Sequence, residues 1–169
     1  MVSSKEELQN VGEDEGIVFG SFVINVEKGE GNETGWAFLK GQKASDATYA
    51  VIISEIGLNP LKPNYVIRAT PEKEEIFIKK LPAGDYQIQK IQKEGFASLE
   101  SNLRANFRVT PKQTTYIGKF TVQFPDRITI GSPVRMNVGD AQQATTEQLK
   151  NEHERSLSQV VKALMVIER

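Results

Sequence analysis

The sequence contains no cysteine. Disulfides, thiolate nucleophiles and cysteine-ligated zinc or iron–sulfur sites are therefore excluded from this chain. It has one histidine, His153, so a site built on two imidazoles cannot form, and no Gly-x-Ser-x-Gly elbow is present to offer a serine to it. An excess of one charge is also missing. Lys and Arg number 21 against 22 Asp and Glu, which leaves no summed field to neutralise a phosphate backbone, and nucleic acid is not an expected partner. No apolar run approaches the roughly 20 residues that span a bilayer, and the N-terminus lacks the basic start and apolar middle of an export signal. A start placed just after a removed signal would look the same.

What is present describes an ordinary folding chain. Hydrophobic residues make up 38% and charged residues 25% of 169, far from the composition of disorder, and a chain of this length buries a core without staples. Residues 1–16 are polar and end in Glu13-Asp14-Glu15-Gly16; they read as a solvated leader or tether. From Ile17 a run of Ile, Val and Phe to Val26 predicts a long strand with a bulge at Gly20-Ser21. Trp36 to Leu39 and Tyr49 to Ile53 predict the next two strands, the first pairing with the opening strand. Tyr65–Arg68 and Ile76–Ile78 flank a turn at Pro71.

Two segments read as hairpins. In Phe77 to Ile88, Pro82 and Gly84 supply turn chemistry, and in Phe107 to Phe124 the turn falls at Pro111-Lys112-Gln113. Ile128 to Ile130 and Val134 to Val138 add two short strands. Many short strands at even spacing predict a mainly β fold, a two-sheet antiparallel β-sandwich over residues 17–139. Residues 140–169 end it with one amphipathic helix from about Thr145 to Ile167, where Leu149, Leu157, Val161, Leu164 and Ile167 form the stripe. Thr145 or Thr146 is the expected N-cap. The stripe is expected to cover the sandwich or a partner chain.

The segment Leu81-Pro82-Ala83-Gly84-Asp85-Tyr86 resembles the prealbumin-like, carboxypeptidase-regulatory type of β-sandwich. With Asn106 to Pro111, Tyr116 to Lys119 and Val138-Gly139-Asp140, the chain is similar over about residues 17 to 165 to a group of bacterial envelope lipoproteins that carry this module. The resemblance implies a periplasmic or membrane-anchored location, with the membrane reached only through an acylated cysteine upstream of the leader. This sequence has no such cysteine.

The candidates for chemistry are few. Trp36, Tyr49 and Tyr65 are the candidate platform for a sugar or peptide, since flat exposed rings bind apolar faces. Glu27, Glu30, Glu33 and Asp46, or Glu13 to Glu15, are the candidate oxygen ligands for calcium, without the spacing of an EF-hand. Gly29 to Gly35 is glycine-rich but lacks the Gly-Lys-Ser/Thr ending of a phosphate loop, and the Asn32-Glu33-Thr34 triplet carries no weight. His153 reads as a boundary histidine on the helix. The expectation is a non-enzymatic envelope protein that needs no cofactor or metal and contacts a protein or another envelope component. The alternative is a carbohydrate- or peptide-binding accessory module, marked by an exposed Trp36.

Overall fold

A computed structural model describes residues 4–27, 42–45, 48–57, 64–93, 104–128 and 134–168. Its centre is β1 (Glu15–Val26). The strand reads as a nearly unbroken apolar run because both of its faces are covered, which removes the polar half of the usual alternation. Val18, Phe22 and Ile24 enter the main core, while Ile17 and Phe19 enter a second cluster on the opposite face. β1 pairs antiparallel with β5 (Glu74–Pro82) and parallel with β8 (Thr114–Phe124). β10 (Arg135–Gly139) lies against β8 from Lys119 to Gln123, and β11 (Val160–Lys162) lies against the same strand from Thr114 to Tyr116.

The second sheet runs in the order β12 (Val166–Glu168), β7 (Arg104–Val109), β6 (Gly84–Lys93), β3 (Tyr49–Glu55), β4 (Tyr65–Ala69), all antiparallel. A two-stranded ribbon joins β2 (Gln42–Lys43) to β9 (Arg127–Ile128). The fold is thus the expected two-sheet β-sandwich, with one sheet mixed instead of purely antiparallel. Tyr49, Val51, Ile53, Tyr86 and Phe107 of the second sheet meet Phe22, Phe77, Phe120 and Phe124 of the first in the main core. The expected pairing of the opening strand with the strand at Trp36 lies outside the described residues.

A bulge lies level with Gly20 and Ser21, but on the partner strand and not on β1 as expected. Phe19 pairs with Tyr116 and Ser21 with Lys119, so Gly20 alone faces Ile117 and Gly118. The extra residue belongs to β8, whose Gly118 has a φ of +109° that a side chain would disfavour.

Neither expected hairpin forms. β5 and β6 lie in different sheets, as do β7 and β8 and also β4 and β5. Each connection is a corner that crosses the sandwich. The corners at Thr70–Lys73 and Thr110–Gln113 share one design: Pro follows Thr, and the third residue adopts the left-handed region, Glu72 at φ 61° and Lys112 at φ 56°. Both amides at those third residues donate to β1, Glu72 to the Ile24 carbonyl and Lys112 to the Glu15 carbonyl. At the return corner, the Ala83 amide donates to the Asp14 carbonyl, and the Tyr86 hydroxyl reaches back to the Pro82 carbonyl at 3.0 Å.

The ends of the chain also differ from expectation. The leader contains a helix, α1 (Lys5–Gln9), closed by a capping box in which the Glu7 amide donates to Ser4 Oγ and the Ser4 amide to Glu7 Oε2. Leu8 is buried against Ile17, Leu149 and Leu157, so this part of the leader is docked. The C-terminal helix, α2 (Gln142–His153), begins earlier than Thr145 and stops far short of Ile167. A 3₁₀ turn (Glu154–Leu157) follows, and the remainder is strand. Helical spacing lost to tertiary pairing there, because the β8 edge beside Thr114–Tyr116 takes the β-branched Val160-Val161 as a ladder partner. Of the expected stripe, Leu149 and Leu157 pack inward on the sandwich, whereas Val161 and Leu164 are exposed and Met165 is the buried residue.

Candidate contact surface

The sandwich is closed along one side by a C-terminal strap, residues 158–168. After the bend at Ser158-Gln159, β11 extends the first sheet. The Ala163 amide then donates to the Tyr116 carbonyl, and the Met165 amide to the Ile117 carbonyl at 2.9 Å. Met165 enters the main core beside the β8 bulge, and β12 completes the second sheet on the edge of β7. One strap therefore joins both sheets.

Local chemistry anchors the start of this region. Ala141, at the N-cap of α2, has no capping side chain of its own. Its amide donates to the Tyr116 hydroxyl at 2.7 Å, and the Gln142 amide donates to Asp140 Oδ1 at 3.1 Å. Two of the free donors at the helix start are thus met by Tyr116 and Asp140, not by the expected Thr145 or Thr146. Thr145 is buried and its hydroxyl donates back to the Ala141 carbonyl. Asp140 also accepts from Lys162 Nζ at 2.7 Å, which ties the helix start to β11. The Lys162 ammonium, helped by the Gln142 amide, holds the Asp140 carboxyl below the ordinary carboxylate range.

This depression fixes the sign of a pH effect. A carboxylate with a lowered folded pKa stabilises above its unfolded value, near 4, and loses that contribution as pH falls through the folded value. Hydrogen exchange at Val160–Lys162 is therefore expected to quicken below about pH 4 relative to the centre of β1. Asp140→Asn is expected to show the faster exchange already at neutral pH and to lose the acid step. An acid step unchanged in that variant would remove Asp140 from the account.

The other displaced carboxyls are braces of the same kind. The Gly12 amide and Lys80 lower Glu15, with Lys80 Nζ at 3.0 Å. Arg108 holds Asp85 down across the β6–β7 pair through two bonds of 2.7 and 3.0 Å. Such pairs join strands and leave their charges satisfied at the surface.

The expected ligand platform is not assembled by the described residues. Tyr49 is fully buried, its ring stacked on Phe124 at 5.2 Å and its hydroxyl donating to the Ala44 carbonyl at 2.9 Å. Burial pushes its phenol up to about 12. Tyr65 is half-buried near Tyr86, opposite Ile53, at the far end of the β3–β4 pair from Tyr49. Trp36 lies outside the described residues, as do Glu30, Glu33, Asp46 and the glycine-rich segment 29–35. Glu27 is exposed and Glu13 pairs with Lys112. No group of three or more His, Asp or Glu that could hold a metal occurs among the described residues. His153 is buried on α2, deeper than a boundary position.

What the described surface does concentrate is apolar exposure on the strap. Val161, Leu164 and Val166 are 44%, 38% and 65% exposed, and with Ile56 they are the large exposed apolar side chains among the described residues. They alternate with inward Val160, Met165 and Ile167, so the strap carries one face into the protein and offers the other outward. Sequence patterning found Val161 and Leu164 but placed them on a helical stripe over the sandwich or a partner chain, and it did not single out Val166. The shallow polar groove beside them, lined by Asn10, Lys112, Gln113, Ser156 and Ser158, supplies amides and hydroxyls with one paired ammonium. No helix among the described residues is long and apolar enough to cross a membrane. The chain matches no known family model, no curated protein and no solved structure.

Proposed function

We propose that this chain is a non-catalytic β-sandwich of the bacterial cell envelope that acts by contact with a protein or another envelope component. The observation that carries the contact reading is the outward row of Val161, Leu164 and Val166 on a strap already held by both sheets. Clustered exposed apolar side chains on an edge segment mark a surface that gains free energy when covered. The envelope location is supported by the Leu81–Tyr86 motif and its neighbours, which resemble envelope lipoprotein modules.

The test replaces the row without touching the fold's interior. Val161→Ser, Leu164→Ser and Val166→Ser together are expected to weaken co-sedimentation of the purified protein with an envelope fraction of its native cells by about tenfold or more, since each buried aliphatic side chain contributes roughly 1.5 kcal/mol or more at an interface. Unchanged thermal unfolding would show that the sandwich is intact. Equal co-sedimentation of the two proteins would end the contact reading, and recovery of the native gene product from the cytosolic fraction would end the envelope reading.

A further inference from the structure

We propose that the strap, residues 158–168, exchanges between two copies of this chain, each copy completing the β8 and β7 edges of the other. This concerns the strap on which the contact reading rests and leaves its outward row, Val161, Leu164 and Val166, in place. The seam is a groove for an extended segment of one particular pattern. β10 leaves the β8 edge uncovered from Thr114 to Tyr116, the core accepts one long unbranched side chain at Met165, and β7 accepts a strand from Arg104 to Asn106. Every copy carries an identical groove and an identical segment, so a strap from a second copy forms every contact seen in the closed chain. Exchange of an identical element is a low-cost route to a closed, symmetric dimer.

The attachment is thin enough to open. β11 and β12 each contribute three residues, Met165 is the strap's one buried side chain, and the Lys162–Asp140 ion pair is at the surface. Val161, Leu164 and Val166 face solvent. Beside Val166, on the same outer face of the β7–β12 pair, the buried Oδ1 of Asn106 has no hydrogen-bond partner among the described residues, so this edge carries an unmet polar group. A segment with these features belongs to the low-stability end of a native structure.

The joint allows the opened strap to leave its own body. The bend at Ser158-Gln159 holds neither proline nor glycine, so its backbone is not locked in one turn. Opening of the bend at Ser158-Gln159, with residues 160–168 still extended, carries the strap away from its own body, and a short hinge of this kind is what lets an element reach a neighbour.

The absence of cysteine makes the test clean. Val166 and Asn106 are antiparallel partners, with Cα atoms at about 4.5–5.5 Å, within disulfide range. Asn106→Cys is made in a chain with a size tag and Val166→Cys in a chain without one. Neither can close a bridge within itself. The two are mixed at about 1 mM, a concentration that favours assembly by mass action, left to equilibrate, and oxidised. Exchange predicts a mixed disulfide that exceeds both same-variant dimers by about tenfold and accumulates as the strap opens. Same-variant and mixed dimers in random proportion, or no mixed dimer, overturns the proposal. The double variant in one chain, oxidised when dilute, is expected to close its own bridge; failure to close overturns the proposal by showing an undocked strap. If the mixed bridge does not form while the serine-substituted row still loses envelope binding, exchange falls and the contact reading stands.

Discussion

Gly20→Ala is expected to lower the thermal unfolding midpoint by about 10 °C, a loss of about 3 kcal/mol in a chain of this size. A Cβ on Gly20 would sit 2.4 Å from the Gly118 carbonyl oxygen and 3.2 Å from Phe77 Cζ. The first atom is backbone, in the bulge that aligns β8 with β1, and it cannot swing away as a side chain would. Relief requires β8 to shift, and β8 also carries Phe120, Val122 and Phe124 into the main core and Tyr116 to the start of α2. A small insertion is thereby spread over both clusters, which places it at the upper end of the cost of overpacking. Gly139→Ala is the matched control, because its Cβ would meet only the Lys119 carbonyl oxygen at 4.0 Å. Calorimetry of the two variants decides the point: equal midpoints would show that the β1–β8 contact yields freely.

The level at which the β1–β8 register slips was legible from the Gly-Ser pair inside an Ile, Val and Phe run, though the extra residue lies in β8 and not in β1, and the two-layer architecture was legible as well. The same patterning failed at the connections. Alternation says which residues share a face, yet it is the same for two strands joined in a hairpin and for two strands that switch sheets. Turn type separates them. Tight hairpins use primed turns with positive φ at the first central position, whereas Pro71 and Pro111 fix a negative φ there and let only Glu72 and Lys112 turn left-handed. That unprimed geometry splays the strands apart, and β4–β5 and β7–β8 accordingly go to opposite layers. The docked α1 had a sequence signal as well, Ser4 with Glu7 three residues on. The strap had none of comparable strength. Its helical spacing is real, and the outcome depends on an open β8 edge that no local window contains. Tyr49 is a similar case: an aromatic at a strand start is equally suited to a platform and to a core, and its stacking on Phe124 is a contact across the two sheets.

Tyr86 offers the sharpest measurement of a corner against a hairpin. Its ring is fully buried, stacked on Phe107 at 5.6 Å and tilted against Tyr65 at 6.3 Å, while its hydroxyl holds the Pro82 carbonyl on the other side of the sheet switch. Burial holds its phenol well above the ordinary range. Tyr86→Ala is expected to cost about 4 kcal/mol, the range for deleting a packed aromatic, or roughly 12 °C in the unfolding midpoint. Tyr86→Phe keeps the ring and removes only the bond to Pro82, and about 1 kcal/mol is expected. The ratio is informative because the ring belongs to the second sheet and the carbonyl to the end of β5 in the first. The large loss measures packing within the core; the small one measures the clasp that turns the chain between layers. Were Leu81–Tyr86 a surface hairpin, the alanine variant would lose about as little as the phenylalanine variant, and equal denaturation midpoints for the two would return that reading.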